Sequence, residues 1–131
     1  MYMYKEIIIS IVVIVVVFTL DFSLQKYTKE TIGEFSLELS NLEKNIRDET
    51  LSSLEIKDKT NQLYDKWLEH HEKLVYYIEH DELEKVESNF SAGKSFIESE
   101  KYSDAMSELE KTSFVLKHIE DKYAFNLENI F

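Results

Sequence analysis

The sequence has no cysteine, no proline and only two glycines among its 131 residues. Without cysteine there is no disulfide, no thiolate metal site and no cysteine nucleophile, and no cysteine is available to carry a lipid. The near absence of proline and glycine leaves few helix breakers, and Leu, Glu, Lys and Ser dominate the part after residue 25. This composition is typical of an all-α protein.

Basic residues are also scarce, 15 against 26 acidic ones, which gives a formal net charge of -11. Such a charge repels nucleic acid, and no basic stripe offsets it, so we expect no nucleic-acid partner. The sequence has no serine in a nucleophile elbow and no glycine-rich loop for phosphate, and no carboxylate pair is singled out from the others. We therefore expect neither an enzyme nor a cofactor.

One apolar run stands out near the start of the sequence. From Ile7 to Phe18 it contains a single polar residue, Ser10, and it is too long for a strand that has no sheet partners. As a helix, Ile7 to Leu20 measures about 21 Å, the length of a signal-peptide core, whereas the extension to Leu24 measures about 27 Å, close to the thickness of a bilayer.

The residues after this run carry no small-residue cleavage pattern, which favours an uncleaved membrane anchor at residues 1–25 over a cleaved signal. Lys5 on one side and Lys26 and Lys29 on the other do not decide the orientation. The short flank before the run is typical of a signal anchor. We therefore expect a single pass through the cell membrane, with the C-terminal domain outside the cytoplasm.

Asp21 falls at one end of this run, near the expected membrane interface. Its simplest interpretation is the boundary of the span, where a carboxylate can reach water. The alternative is a carboxylate that meets a partner helix, which makes Asp21 a candidate partner-binding residue.

Residues 26–131 contain four stripes of apolar side chains spaced three and four apart, as on amphipathic helices. The first helix can continue directly from the span, with a turn or break expected between Arg47 and Thr60. The second runs to about His80; Asp81 with Glu84 forms a capping box that starts the third, and Ser103 is the expected cap of the fourth. The stripes are Ile32, Phe35, Leu39, Leu42 and Ile46; Ile56, Leu63, Trp67, His70 or His71, Leu74 and Ile78; Leu83, Val86, Phe90, Gly93 and Ile97; and Met106, Leu109, Ser113, Leu116, Ile119 and Tyr123.

Short connections between these helices imply antiparallel neighbours. The predicted architecture is thus a transmembrane helix followed by a small antiparallel bundle of about four helices in one acidic domain. The first stripe is more simply packed against the protein's own later helices than against a second copy, although the oligomeric state stays open. Gly93 lies at an offset used by a tetratricopeptide-type helix hairpin, and this partial likeness implies a close approach of the third and fourth helices there.

The four histidines lie among many carboxylates, which raises the question of a metal site. The sequence has neither His-Glu-x-x-His nor Glu-x-x-His. A site formed by two helices would use His80, Asp81, His118 and Asp121. The competing interpretation is that these histidines form local hydrogen bonds near helix ends.

Three of the last five residues are apolar: Leu127, Ile130 and Phe131. We expect them to pack against the domain's own bundle and cover the end of a small core. If they stay exposed, they are candidate partner-binding residues.

Several segments carry a family resemblance: the apolar run, Trp67, "IEHDELEKVE" at 78–87, "HIEDK" at 118–122 and "LENIF" at 127–131. With these features the chain resembles an uncharacterised family of short single-span membrane proteins from spore-forming Gram-positive bacteria, a domain of unknown function. The resemblance implies a membrane partner, since such proteins are often encoded beside a small multi-span membrane protein.

Two functional hypotheses follow. The first is a membrane-anchored, extracytoplasmic helical module that binds or regulates another membrane or envelope protein. The second is a ligand- or metal-sensing bundle that uses His80, Asp81 and His118.

Overall fold

The computed structural model describes residues 2–130, and the side chains of residues 3–123. It consists of four α-helices, α1 (Tyr2–Arg47), α2 (Ser53–Leu74), α3 (His80–Glu98) and α4 (Tyr102–Ile130). No strand occurs within residues 2–130. The prediction of an all-α protein with a long apolar first helix and a helical bundle is confirmed.

The helix α1 contains both the apolar run and the first stripe without interruption. It contacts α2 and α4, and α3 contacts the same two helices, so that the four helices form a ring in chain order. The direction alternates around the ring: on the α1–α4 side, Gly33 lies near Glu120, and Glu43 lies near Ser113. This arrangement is an antiparallel four-helix bundle in which the outer half of α1 extends beyond the other helices.

The predicted stripes form the core. Their buried members are Ile32, Phe35, Leu39, Leu42, Ile46, Ile56, Leu63, Trp67, Leu74, Ile78, Leu83, Val86, Phe90, Gly93, Ile97, Leu109, Leu116 and Ile119. The rings of Phe35, Trp67 and Phe90 meet at the centre, with the Phe35 centroid 5.0 Å from Trp67 and 5.8 Å from Phe90. His70, His71, Met106, Ser113 and Tyr123 are only half-buried.

Gly93 lies where α3 and α4 approach each other closely. A Cβ atom at this position would meet Leu109 Cδ2 at 3.0 Å, and Leu109 itself is fully buried. The close approach expected at Gly93 is therefore present.

The ends of three helices differ from the prediction. α2 ends at Leu74 and not near His80, because the next amides bond three residues back, Tyr76 N–H to Lys73 O and Tyr77 N–H to Leu74 O. The capping box of Asp81 and Glu84 is wrong, since α3 begins at His80 and the cap position is Glu79, whose carbonyl accepts from Glu82 and Leu83.

Ser103 is likewise not the cap of α4. The helix begins at Tyr102, and the carbonyl of Lys101 accepts the Ala105 N–H. In both cases the side chain able to cap lies inside the first turn of the helix and not before it.

Candidate functional site at the junction of apolar helix and bundle

The first half of α1 is an apolar rod that the rest of the protein does not cover. Side chains from Ile7 to Val17 are between 50% and 61% exposed wherever they are large and apolar, and they point in all directions around the helix. This helix is long and apolar enough to cross a membrane, and signal sequences have the same length and composition. The junction between this rod and the bundle is the most distinctive feature of the molecule.

Asp21 lies at this junction, one residue after the apolar run. Its carboxylate accepts hydrogen bonds from the Tyr77 hydroxyl and from Gln25 Nε2, the latter at 3.0 Å. Tyr77 belongs to the turn between α2 and α3, so the bond fixes that turn to α1. Burial, followed by the bond to Asp21, raises the pKa of Tyr77 above its usual value, so that its hydroxyl stays protonated and able to donate.

A second contact lies two turns further along α1. The Tyr27 hydroxyl is 2.5 Å from His70 Nδ1, and Lys73 Nζ lies 5.5 Å from the centre of the Tyr27 ring. Together with Asp21–Tyr77, these contacts hold the end of α2 against the first part of α1 that belongs to the bundle.

The helix α4 joins the same end of the bundle through Lys122. Its Nζ binds Glu79 at 2.9 Å and lies 3.5 Å from Glu82, both next to the start of α3. The turn formed by residues 75–79 is thus tied to α1 at Tyr77 and to α4 at Glu79. We call Asp21, Gln25, Tyr27, His70 and Tyr77, which join α1 to α2 and the turn, the junction cluster.

Two of the four candidate metal ligands, His80 and His118, each lie beside a glutamate. His80 Nε2 lies 3.2 Å from Glu84 and is well exposed, whereas His118 Nε2 lies 3.4 Å from Glu82. Asp81 and Asp121 are exposed. Among the residues whose side chains are described, no group of three or more His, Cys, Asp or Glu could hold a metal ion.

Glu82 is the one unusual carboxylate near these histidines. It is only 8% exposed, and its Oε2 is buried with no hydrogen-bond partner, while Oε1 faces His118 and Lys122. A buried carboxylate oxygen without a donor is costly, so this position is the point where the α3–α4 side is least satisfied.

Two further carboxylates lie between α1 and α4. Burial raises the pKa of Glu43, despite a 2.8 Å hydrogen bond from Ser113 Oγ. Burial, with the charge of Asp121 second, also raises the pKa of Glu120, which Ser36 partly offsets by a hydrogen bond. In both cases burial favours the neutral carboxyl over the carboxylate, which links these two groups to the pH dependence of stability.

A groove of about 260 Å³ lies between α1 and α2. Lys66 and Glu38 form a salt bridge in it at 2.8 Å, and Lys59 and Asn41 line it further along. Lys66 and Glu38 thus neutralise each other across the groove.

The remaining predicted partner-binding residues, Leu127, Ile130 and Phe131, lie outside the residues whose side chains are described. The two interpretations of these three residues therefore stay predictions. Asp21, the fourth candidate, lies at the junction, where it binds residues of its own chain.

Fold and junction together define a class: an acidic four-helix bundle built directly on a long apolar helix. The chain belongs to the family described as Domain of unknown function (DUF4363), whose pattern matches residues 22–130. The match begins one residue after Asp21 and includes all four helices of the bundle. No curated protein and no solved structure matches the chain.

Sequence reasoning missed Tyr77, the residue that closes the junction. It also missed the buried threonines Thr60 and Thr112, whose hydroxyls donate to the carbonyls of Ile56 and Glu108 four residues earlier. For the threonines a signal existed, since Thr60 and Thr112 continue the three-and-four spacing of their stripes. For Tyr77 none existed, because its partner is distant in sequence.

Proposed function

We propose that the chain is a single-span membrane protein whose helical domain stands outside the cytoplasm and binds or regulates another membrane or envelope protein. One observation carries the anchoring: the uncovered apolar half of α1 in a protein whose other apolar stripes are buried. Contiguous apolar surface of this size needs lipid or a partner to cover it. Its length of about 27 Å, up to Leu24, suits a bilayer.

Three properties of the domain support the interaction role. Its core is well packed, its surface is strongly acidic, and in the described part of the chain the polar groups at the junction bind one another. A protein of this kind acts through its surface, and its charge favours a partner with a basic face. The junction cluster would hold this surface at a fixed height above the anchor.

The anchor is tested by membrane extraction of the full chain. Replacing Val13 and Val16 by aspartate should release the protein from membranes on alkaline washing, since each central carboxylate costs about 2.5 to 3.5 kcal/mol in a span. The matched control is Leu37→Asp, on the same helix and 63% exposed but beyond the junction, which should stay bound. Intact mass of the mature protein tests cleavage: loss of residues 1–20 would refute the anchor.

Orientation and partner need separate measurements. Protease added to intact protoplasts should remove a C-terminal tag, whereas a protected tag would refute the extracytoplasmic placement. Crosslinking in native membranes should capture a specific membrane or envelope protein; capture of only the proteins that a tagged, unrelated single-span protein also captures would contradict the interaction role.

One observation favours the second hypothesis, a cation-sensing bundle. The Oε2 atom of Glu82 is buried without a hydrogen-bond partner, and a cation held by Glu82 and His118 would give it one. Titration of the full chain with Zn²⁺ or Mn²⁺ during thermal melting tests it: a rise in melting temperature that Glu82→Gln abolishes would support it, and Glu84→Gln is the control.

A further inference from the structure

The turn between α2 and α3 carries an exposed aromatic side chain next to the apolar helix. Tyr76 is 79% exposed and Val75 is 42% exposed. Singly exposed apolar residues are common on soluble surfaces. The position of this pair relative to the apolar run makes it distinctive.

The junction cluster fixes the height of the turn along α1. Tyr77 donates to the carboxylate of Asp21 and lies 3.3 Å from its carbonyl oxygen, and Tyr27 meets His70. Both pairs belong to one antiparallel register, in which each step along α1 is matched by a step back along α2. Tyr76, next to Tyr77, therefore lies at the level of Asp21 and of the last residues of the apolar run.

We infer that Tyr76 and Val75 insert into the lipid interface, so that the turn is a second membrane contact of the domain. This inference rests on the proposed anchor, because a bilayer that contains the apolar run up to Leu24 places its interface within about one helical turn of Asp21. Tyrosine suits this level, since its ring enters the hydrocarbon boundary while its hydroxyl stays with the headgroups. The contact does not depend on which side of the membrane the domain occupies.

Two contacts with the bilayer, the anchor and the turn, would fix the tilt of the bundle relative to the membrane. The surface of α2 and α3 next to the turn would then face the membrane, and the opposite end would point away. At about 1.5 Å per residue, the end of α1 at Arg47 lies about 39 Å beyond Asp21. The turn that starts α2 is thus far from any lipid.

Because the chain has no cysteine, the inference can be tested with single-cysteine variants carrying a nitroxide label. The full chain is reconstituted in phosphatidylcholine nanodiscs with the label at Tyr76→Cys, at Val13→Cys within the apolar run, or at Leu54→Cys. Leu54 is the matched control, since it is 71% exposed at the opposite end of the bundle. Electron paramagnetic resonance then compares relaxation by oxygen, which enters lipid, with relaxation by a water-soluble nickel chelate.

The expected ratio of oxygen to nickel relaxation at position 76 lies between those of positions 13 and 54, as at a headgroup boundary. If position 76 is as exposed to nickel as position 54 while position 13 stays in lipid, the inference is wrong and the anchor stands. If position 13 is also exposed to nickel, the anchor itself fails and the inference fails with it. As a second measurement, Tyr77→Phe, which breaks the bond to Asp21, should make the label at position 76 more mobile and more exposed to nickel; an unchanged signal would contradict the role of the junction cluster.

Discussion

Truncation of Trp67 to alanine tests the core of the bundle most directly. The side chain is 1% exposed and its ring pairs with Phe35 at 5.0 Å. Replacing a buried tryptophan by alanine costs about 3 to 5 kcal/mol, because the transfer free energy is lost and a cavity remains. Part of this cost is the loss of the contact between the two rings, which contributes about 0.5 to 1.5 kcal/mol.

One feature of the site lowers the expected cost. The indole Nε1 of Trp67 is buried without a hydrogen-bond partner, and an unpaired buried donor costs about 1 to 3 kcal/mol. Removing the indole also removes this penalty, so we expect a loss of about 3 kcal/mol, at the lower end of the range. Trp67→Phe, which removes the donor but keeps a ring beside Phe35, should lose much less.

The assay is urea unfolding of the full chain in a nonionic detergent, followed by far-ultraviolet circular dichroism, which does not depend on the indole. The apolar half of α1 stays helical in the micelle and contributes a constant signal. Phe114→Ala is the control, since Phe114 is 76% exposed and its loss should change the free energy of unfolding by less than about 0.5 kcal/mol. A loss below about 1 kcal/mol for Trp67→Ala would refute its place in the core.

Three other substitutions are expected to have effects of known sign. Gly93→Ala should lower the free energy of unfolding by about 1 to 2 kcal/mol through its contact with Leu109, whereas Gly33→Ala, whose Cβ would meet nothing closer than 4.0 Å, should raise it by about 0.5 to 1 kcal/mol; equal effects in urea unfolding would contradict the packing. Burial raises the pKa of Glu43 in the folded protein above its value in the unfolded chain, so its contribution to stability is present at low pH and is lost as the pH rises through the folded-state pKa. Glu43→Gln should therefore raise the melting temperature at neutral pH but not at pH about 4; an equal change at both pH values would refute this cause. Glu49 has a left-handed backbone with φ 52°, so Glu49→Gly should raise stability by up to about 1 kcal/mol, and a lower melting temperature would show that its side chain matters more than its backbone.

The stripes could be predicted from the sequence because the buried face of a helix is formed by apolar residues spaced three and four apart. Residues such as Leu39, Phe90 and Leu116 are apolar at the spacing that puts them on one face, and burying that face drives the bundle together. The helix ends were harder. Asp81 and Ser103 are good capping residues, but a cap contributes about 1 kcal/mol, less than the burial of an isoleucine such as Ile78.

The junction cluster lay beyond sequence reasoning for a different reason. Asp21 was recognised as a boundary residue from its place after the apolar run. Its partner Tyr77 is separated from it by 56 positions, and only the packing of α2 on α1 brings them together. A tyrosine in a turn has no sequence signal that distinguishes a half-buried, hydrogen-bonded side chain from an exposed one, as the contrast between Tyr77 and Tyr76 illustrates.

The unbroken course of α1 matters for how the proposed interaction would work. Gly33 lies within this helix and does not interrupt it. The Asp21 bond holds the turn after α2 to α1, and the Tyr27 bond holds α2 itself to α1. A flexible linker would let the domain search for a partner independently of its anchor, whereas a continuous helix with a packed junction transmits the anchor's rotation and tilt to the domain. A membrane protein that packs against the anchor would therefore also set the direction in which the acidic surface faces, and this coupling favours a partner within the same membrane over a freely diffusing one.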